Sequence, residues 1–366
     1  MVSRDRRVRI AHDYISQKGG AERVALSIAQ RLGSGSVLTA LYEPNGSFPG
    51  YRDISISPSW LNRFKFFRKD PRRALPLLPL AWAWRRKVDA DAVLCSSSGW
   101  SHAIRVTAGT AKVVYCHNPP RWLYQPEDYF RDQPAVVRRL ARLLTPWLMR
   151  WDKKAASTAT TYIANSRAVA TRIQEAYGVT PSIIHPPIDI DENGARKRVA
   201  VPNDFFLTVA RARGYKGTDM LVDAWSGMPD LPLVIVGDWH APLPPNVISV
   251  GRVSDAEIRW LYENARALVS VSREDFGLTP LEANAFGTPS LVLRAGGFLD
   301  STSDGVSGRF IDADDVDSIR QAVRGFPRLW DRDAIRSHAQ RFSVRTFIER
   351  LELAVEEAVR LRNERP

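Results

Sequence analysis

The chain carries only two cysteines in 366 residues, Cys95 and Cys116, each near the end of an apolar run. That scarcity excludes a disulfide-stapled scaffold and fits two buried free thiols in a reducing compartment. No run of 18 apolar residues occurs, so no membrane-spanning helix is predicted. The opening stretch MVSRDRRVRIAHDY is charged and then strand-like, without the apolar core of a secretory leader. A cytoplasmic protein is expected. The glycine fingerprint G-x-G-x-x-G of dinucleotide-binding folds is also missing.

Positive charge is plentiful. The net charge is +12, and the whole excess lies in residues 1–190. A first half so charged is suited to an anionic partner such as a lipid surface, a phosphorylated acceptor or nucleic acid. Residues 59–87 hold nine Lys and Arg against one Asp, interleaved with Trp60, Phe64, Phe66, Phe67, Trp82 and Trp84. Rings flanked by cations suit the headgroup level of a bilayer. Arg stems lying along an ordinary core would read the same way. Three prolines break this stretch into helical pieces. Residues 135–156 form a second basic, Trp-containing helical region, with Arg138, Arg139, Arg142, Arg150, Lys153 and Lys154.

Short apolar runs alternate with amphipathic ones along the chain. VRIAH at 8–12, SVLTALY at 36–42, AVLCSS at 92–97, KVVYC at 112–116 and TYIAN at 161–165 read as strands. FFLTVA at 205–210, LVIVG at 233–237, Val247–Val250, Ala267–Ser272 and Leu291–Leu293 do so in the second half. Strand–helix alternation predicts an α/β protein with doubly wound parallel sheets. At 366 residues two domains are expected, 1–190 and 205–344, joined by a proline-containing polar linker at 191–204.

The most informative stretch is NARALVSVSREDFGLTPLEANAFG at 264–287. It reads as strand, polar turn and helix, with Thr279 as N-cap and Pro280 in the first helical position. Glu274 and Glu282 stand eight residues apart. A helix N-terminus favours phosphate, whereas carboxylates beside it accept hydrogen bonds from hydroxyls. The pattern suits a ligand bearing both phosphate and polyol. Thr279-x-x-Glu282 is equally a capping box, in which the glutamate only bonds back to its own helix. Elsewhere, Gly19-Gly20 precedes a helix, and His117 follows a strand end. Arg211 and Lys216 lie on a glycine-containing turn where they could neutralise a diphosphate.

Glu274-Asp-Phe-Gly-Leu-Thr-Pro-Leu-Glu282-Ala resembles the E-x7-E signature of the family 4 glycosyltransferases. Gly19-Gly20-Ala21-Glu22 is similar to that family's G-G-x-E, Arg211 with Lys216 to its R-x4-K, and Asn165-Ser166 to its N-S segment. YCHNPPR at 115–121 resembles the Y-C-H-x-P-x-R segment of bacterial mannosyltransferases of surface-polysaccharide synthesis. The resemblance implies a GT-B fold of two Rossmann-like domains facing a cleft, with the helix at 345–366 returning to the first. It implies retaining hexosyl transfer from a nucleotide-sugar donor, with GDP-mannose the expected donor, to a lipid-linked or saccharide acceptor. Glu282 would hold the ribose, and Arg211 and Lys216 the diphosphate. Glu274 and His117 would position the sugar. Gly19, Gly20, Arg252, Val253, Phe276, Gly277, Leu278 and Thr279 would complete the donor site, with Asp13 and Arg121 on the acceptor side. No cofactor is implied, and the basic pair is expected to replace a metal. The anionic inner face of a membrane is the expected partner of 59–87 and 135–156. A nucleotide-sugar epimerase or hydrolase on the same fold is the alternative. A nucleic-acid-binding protein is not expected, since it would make no use of the two glutamates.

Overall fold

The computed structural model describes residues 6–130, 133–209 and 217–364. It divides into two compact units, Met1–Pro186 with Val344–Pro366, and Pro187–Ser343.

The first unit is built on seven parallel strands: β1 (Val8–His12), β2 (Val37–Thr39), β3 (Ile56–Pro58), β4 (Ala92–Ser97), β5 (Ala111–Cys116), β6 (Thr161–Ala164) and β7 (Ser182–Ile183). Their order is β3-β2-β1-β4-β5-β6-β7. Alternate residues of one strand enter different cores. Val93 and Cys95 of β4 pack on one face with Trp82, Trp100 and Leu148, while Ala92 and Leu94 pack on the other with Val24, Ile28 and Leu351. Both faces being covered, the central strands read as unbroken apolar runs. Cys95 and Cys116 are buried free thiols. Helix Val344–Asn363 belongs to this unit: Phe347 meets Tyr115 at 5.4 Å, and Arg362 Nε donates to Ala108 O at 2.6 Å.

The second unit carries β8 (Phe206–Val209), β9 (Leu233–Val236), β10 (Val247–Gly251), β11 (Ala267–Ser270), β12 (Ser290–Leu293) and β13 (Gly308–Ile311), all parallel, in the order β10-β9-β8-β11-β12-β13. This repeats the strand order of the first sheet. In each unit the order reverses once, between β1 and β4 and between β8 and β11. The carboxyl ends of strands at such a switch are where open α/β sheets bind ligands.

Two expectations change. The stretch 191–204 is not free linker but lies against helix Asp255–Asn264, with Lys197 N donating to Ala256 O and Arg259 Nε to Asp191 O. Trp82, counted among interfacial rings, is fully buried, whereas Trp60, Phe64, Phe66 and Trp84 stand exposed. Residues 59–87 do form short pieces, including Lys65–Lys69 and Leu78–Ala83. Among the described residues no helix is long and apolar enough to cross a membrane.

Candidate active site

In the second unit the chain leaves β11, crosses a loop holding Glu274, and enters helix Leu278–Ala285. The helix begins earlier than its sequence suggests. Its N-cap is Gly277, at φ +88°, and no side chain caps its first N–H groups. Thr279 is therefore the second helical residue, not the cap. Only glycine suits this position, because the backbone is left-handed and a Cβ would overlap the Phe298 ring.

Glu282 does not serve a capping box. Its Oε2 accepts from the Tyr262 hydroxyl at 2.8 Å, across to helix Asp255–Asn264. Glu274 is half-buried, and its Oε1 accepts from Ser272 Oγ at 3.1 Å. Ser272 Oγ in turn lies 2.9 Å from Ser270 Oγ. The loop rests on Gly296-Gly297 after β12: Gly297 N donates to Glu274 O at 2.9 Å. A Cβ on Gly297 would overlap the Phe276 backbone, and one on Gly296 the Glu274 carbonyl. The two glycines thus allow the acidic loop to lie directly on the neighbouring turn. The Phe276 side chain is buried with Leu281 and Phe342.

Arg252 follows Gly251 at the end of β10 and pairs with Asp238 at 2.8 Å, its side chain largely exposed; Val253 is half-buried beside it. Arg211 and Lys216 lie outside the described residues.

In the first unit three side chains converge at the switch. Ser96 Oγ lies 2.8 Å from His117 Nε2 and 3.1 Å from His12 Nδ1. Burial and the neighbouring His12 push the His117 pKa down to about 3, so the imidazole is neutral at pH 7. Asn165 Nδ2 donates to His117 O at 3.1 Å and fixes the strand end. Asp13 is buried, and its carboxylate accepts from Ser98 N at 2.6 Å and Ser101 N at 2.7 Å. That ties the β1 end to the loop after β4. Gly19 and Gly20 open helix Gly20–Leu32, but the space above Gly19 is filled by the Glu22 carboxylate, which Gln17 Nε2 binds at 2.7 Å. Gly19 is small for the sake of Glu22. Arg121 opens the short helix Arg121–Tyr124.

His12, Ser96 and Tyr262 escape sequence reading. His12 alone gave a signal, a histidine closing a strand as His117 does. Of the Asp-x-Asp triplet at Asp312–Asp314, Asp312 pairs with Arg294 and Asp314 with Arg273. Among the described residues no three His, Cys, Asp or Glu gather where they could hold a metal ion.

Residues 18–192 match the family model described as Glycosyltransferase Family 4, and residues 189–340 the model described as Glycosyl transferases group 1.

The chain belongs to the family 4 glycosyltransferases.

It is similar to the alpha-1,3/1,6-mannosyltransferase ALG2 of Dictyostelium discoideum, 22% identical over 91% of this chain and 96% of that protein. It is also similar to the D-inositol 3-phosphate glycosyltransferase of Mycolicibacterium smegmatis, 26% identical over 52% of this chain and about half, 51%, of that protein's length. Of solved structures, Anabaena HepE in complex with UDP aligns with a TM-score of 0.66 at 18% identity, covering 96% of this chain and 100% of that one. Sucrose-phosphate synthase of Thermosynechococcus elongatus aligns at 0.64 and 16%, over 96% and 99%. At such identities the likeness establishes the GT-B fold. As a member of this family the protein is a hexosyltransferase.

Proposed function

We propose that this glycosyltransferase takes its sugar from a nucleotide-sugar donor bound at the β11 loop and helix Leu278–Ala285. The observation that carries the reading is the pair of carboxylates on the β11 loop and the following helix, each accepting from a hydroxyl. Glu282 accepts from ribose hydroxyls, and Glu274 from hydroxyls of the transferred sugar. The uncapped N–H groups of the helix receive the diphosphate. Arg211 and Lys216 add positive charge where the nucleoside diphosphate departs, which favours the transition state over the ground state. This charge stands in for a metal. His117, neutral and with Nε2 committed to Ser96, offers its other nitrogen to a substrate hydroxyl.

The finer reading is transfer of mannose from GDP-mannose with retention, the leaving phosphate accepting the acceptor's proton. YCHNPPR and the likeness to a mannosyltransferase support the sugar. The acceptor is lipid-linked or saccharide, in cell-surface glycan synthesis. Exposed Trp60, Phe64, Phe66 and Trp84 among the cations of 59–87 support attachment to an anionic membrane face. The test is incubation with GDP-mannose or UDP-glucose in EDTA, with and without an acceptor extract. The expected result is acceptor-dependent loss of GDP-mannose, with the anomeric configuration retained by NMR. Donor loss that no acceptor affects points instead to a hydrolase or epimerase.

A further inference from the structure

A cavity of about 330 Å³ opens on the first unit between the segment 103–106 and helix Ala135–Ala156. Its wall is apolar, formed by Ile104, Val106 and Trp151 among others. Four cations line it, Lys87, Arg105, Lys112 and Lys154, and no carboxylate does. Lys112 is the informative one. It is 2% exposed, and its ammonium donates to His102 O at 3.0 Å and Thr158 Oγ1 at 2.6 Å, both uncharged acceptors. A buried ammonium without a counterion is costly. The buried carboxylate of the same helix, Asp152, is committed elsewhere, to His102 Nε2 at 3.0 Å, off the line of a hydrogen bond, and to the Tyr124 hydroxyl at 2.8 Å.

The cavity also borders an unusual helix face. Val136, Leu140, Leu143 and Trp147 are exposed at helical spacing, and Trp151 and Lys154 continue that side into the cavity wall. Lys112 is the second residue of β5, and His117 follows its last. The cavity therefore lies at the opposite strand end from His117, on the order of 16 Å away.

We propose that this cavity binds one anionic amphiphile, a phosphate or carboxylate head on an aliphatic chain. The head is the counterion of Lys112, with Lys154 and Arg105 around it, and the chain runs along Trp151 toward Leu143.

The test uses the full chain and no nucleotide or sugar, so its outcome is separate from that of the transferase reading. Dodecyl phosphate, dodecyl maltoside and inorganic phosphate are titrated below micelle concentrations, with melting temperature recorded for each variant. The expected result is one dodecyl phosphate per chain, bound at least tenfold tighter than either other probe. Arg105→Gln with Lys154→Gln, both at exposed positions, should weaken it about tenfold without lowering the melting temperature. Lys112→Met should abolish it; if that variant does not fold, the exposed pair decides. Equal binding of dodecyl maltoside, equal binding of inorganic phosphate, or unchanged affinity in the double variant overturns the proposal.

Discussion

The Tyr262 hydroxyl lies 2.8 Å from Glu282 Oε2, bridging helix Asp255–Asn264 to helix Leu278–Ala285. This bond holds the carboxylate against the neighbouring helix. Tyr262→Phe removes one neutral-to-charged hydrogen bond, about 1.5–3 kcal/mol at most. The donor KM should rise roughly 5- to 50-fold with kcat little changed, as for lost ground-state binding. Steady-state kinetics checks this; an unchanged KM would show that Glu282 needs no such support.

Gly297 has an ordinary φ of −72°, so its need for glycine is steric only. Gly297→Ala drives a methyl into the Phe276 backbone. A cost of about 1–3 kcal/mol is expected, read as a lower melting temperature together with lost donor binding. Gly109→Ala, where nothing lies within 4 Å, should leave both unchanged. Equal behaviour of the two variants would contradict the packing described.

His117 gives a pH signature. Burial, then the neighbouring His12, lowers its pKa from 6.5 to about 3. The unfolded chain therefore takes up this proton first. The associated stability is whole above about pH 6.5 and is lost as pH falls toward about 3. His117→Asn should flatten the acid-side decline of the melting temperature between these limits. Parallel curves for the two proteins would rule out a neutral buried imidazole.

Trp60 and Trp84 stack at 5.6 Å on the exposed side of 59–87, and Arg73 lies 4.2 Å from the Phe66 ring centroid. Replacing Arg72, Arg73, Arg85 and Arg86 by Ser removes four cations near this cluster, each worth about 1 kcal/mol at an anionic surface. Co-sedimentation with anionic vesicles should fall at least tenfold while donor binding persists. Arg85 also donates to Thr39 O and Ser57 O, both at 2.6 Å, so Arg72→Ser with Arg73→Ser serves as the control that leaves those bonds intact.

Much of the fold was legible because both sheets are covered on both faces, so AVLCSS or LVIVG stands out as a short apolar run. The edge strand Ile56–Pro58 did not stand out, being half-exposed and ending in proline. Glu274 and Glu282 were legible from their spacing. The choice between capping and ligand was not, because the deciding group, Tyr262, is 20 residues away in sequence. Thr279 looked like a cap because Ser and Thr usually cap helices. Gly277 took the place because the Phe298 ring fills the space a side chain would need. The Ser96 bridge between His12 and His117 spans three strands, which local pattern cannot reveal.

Calorimetric titration of GDP and UDP in EDTA, against the unaltered chain and Glu282→Ala, tests the central claim most directly. One nucleoside diphosphate should bind per chain without metal, and Glu282→Ala should weaken it about tenfold or more, the loss of a charged hydrogen-bond acceptor for ribose. Binding of neither nucleotide, or identical binding by both proteins, would contradict a donor site built on this carboxylate.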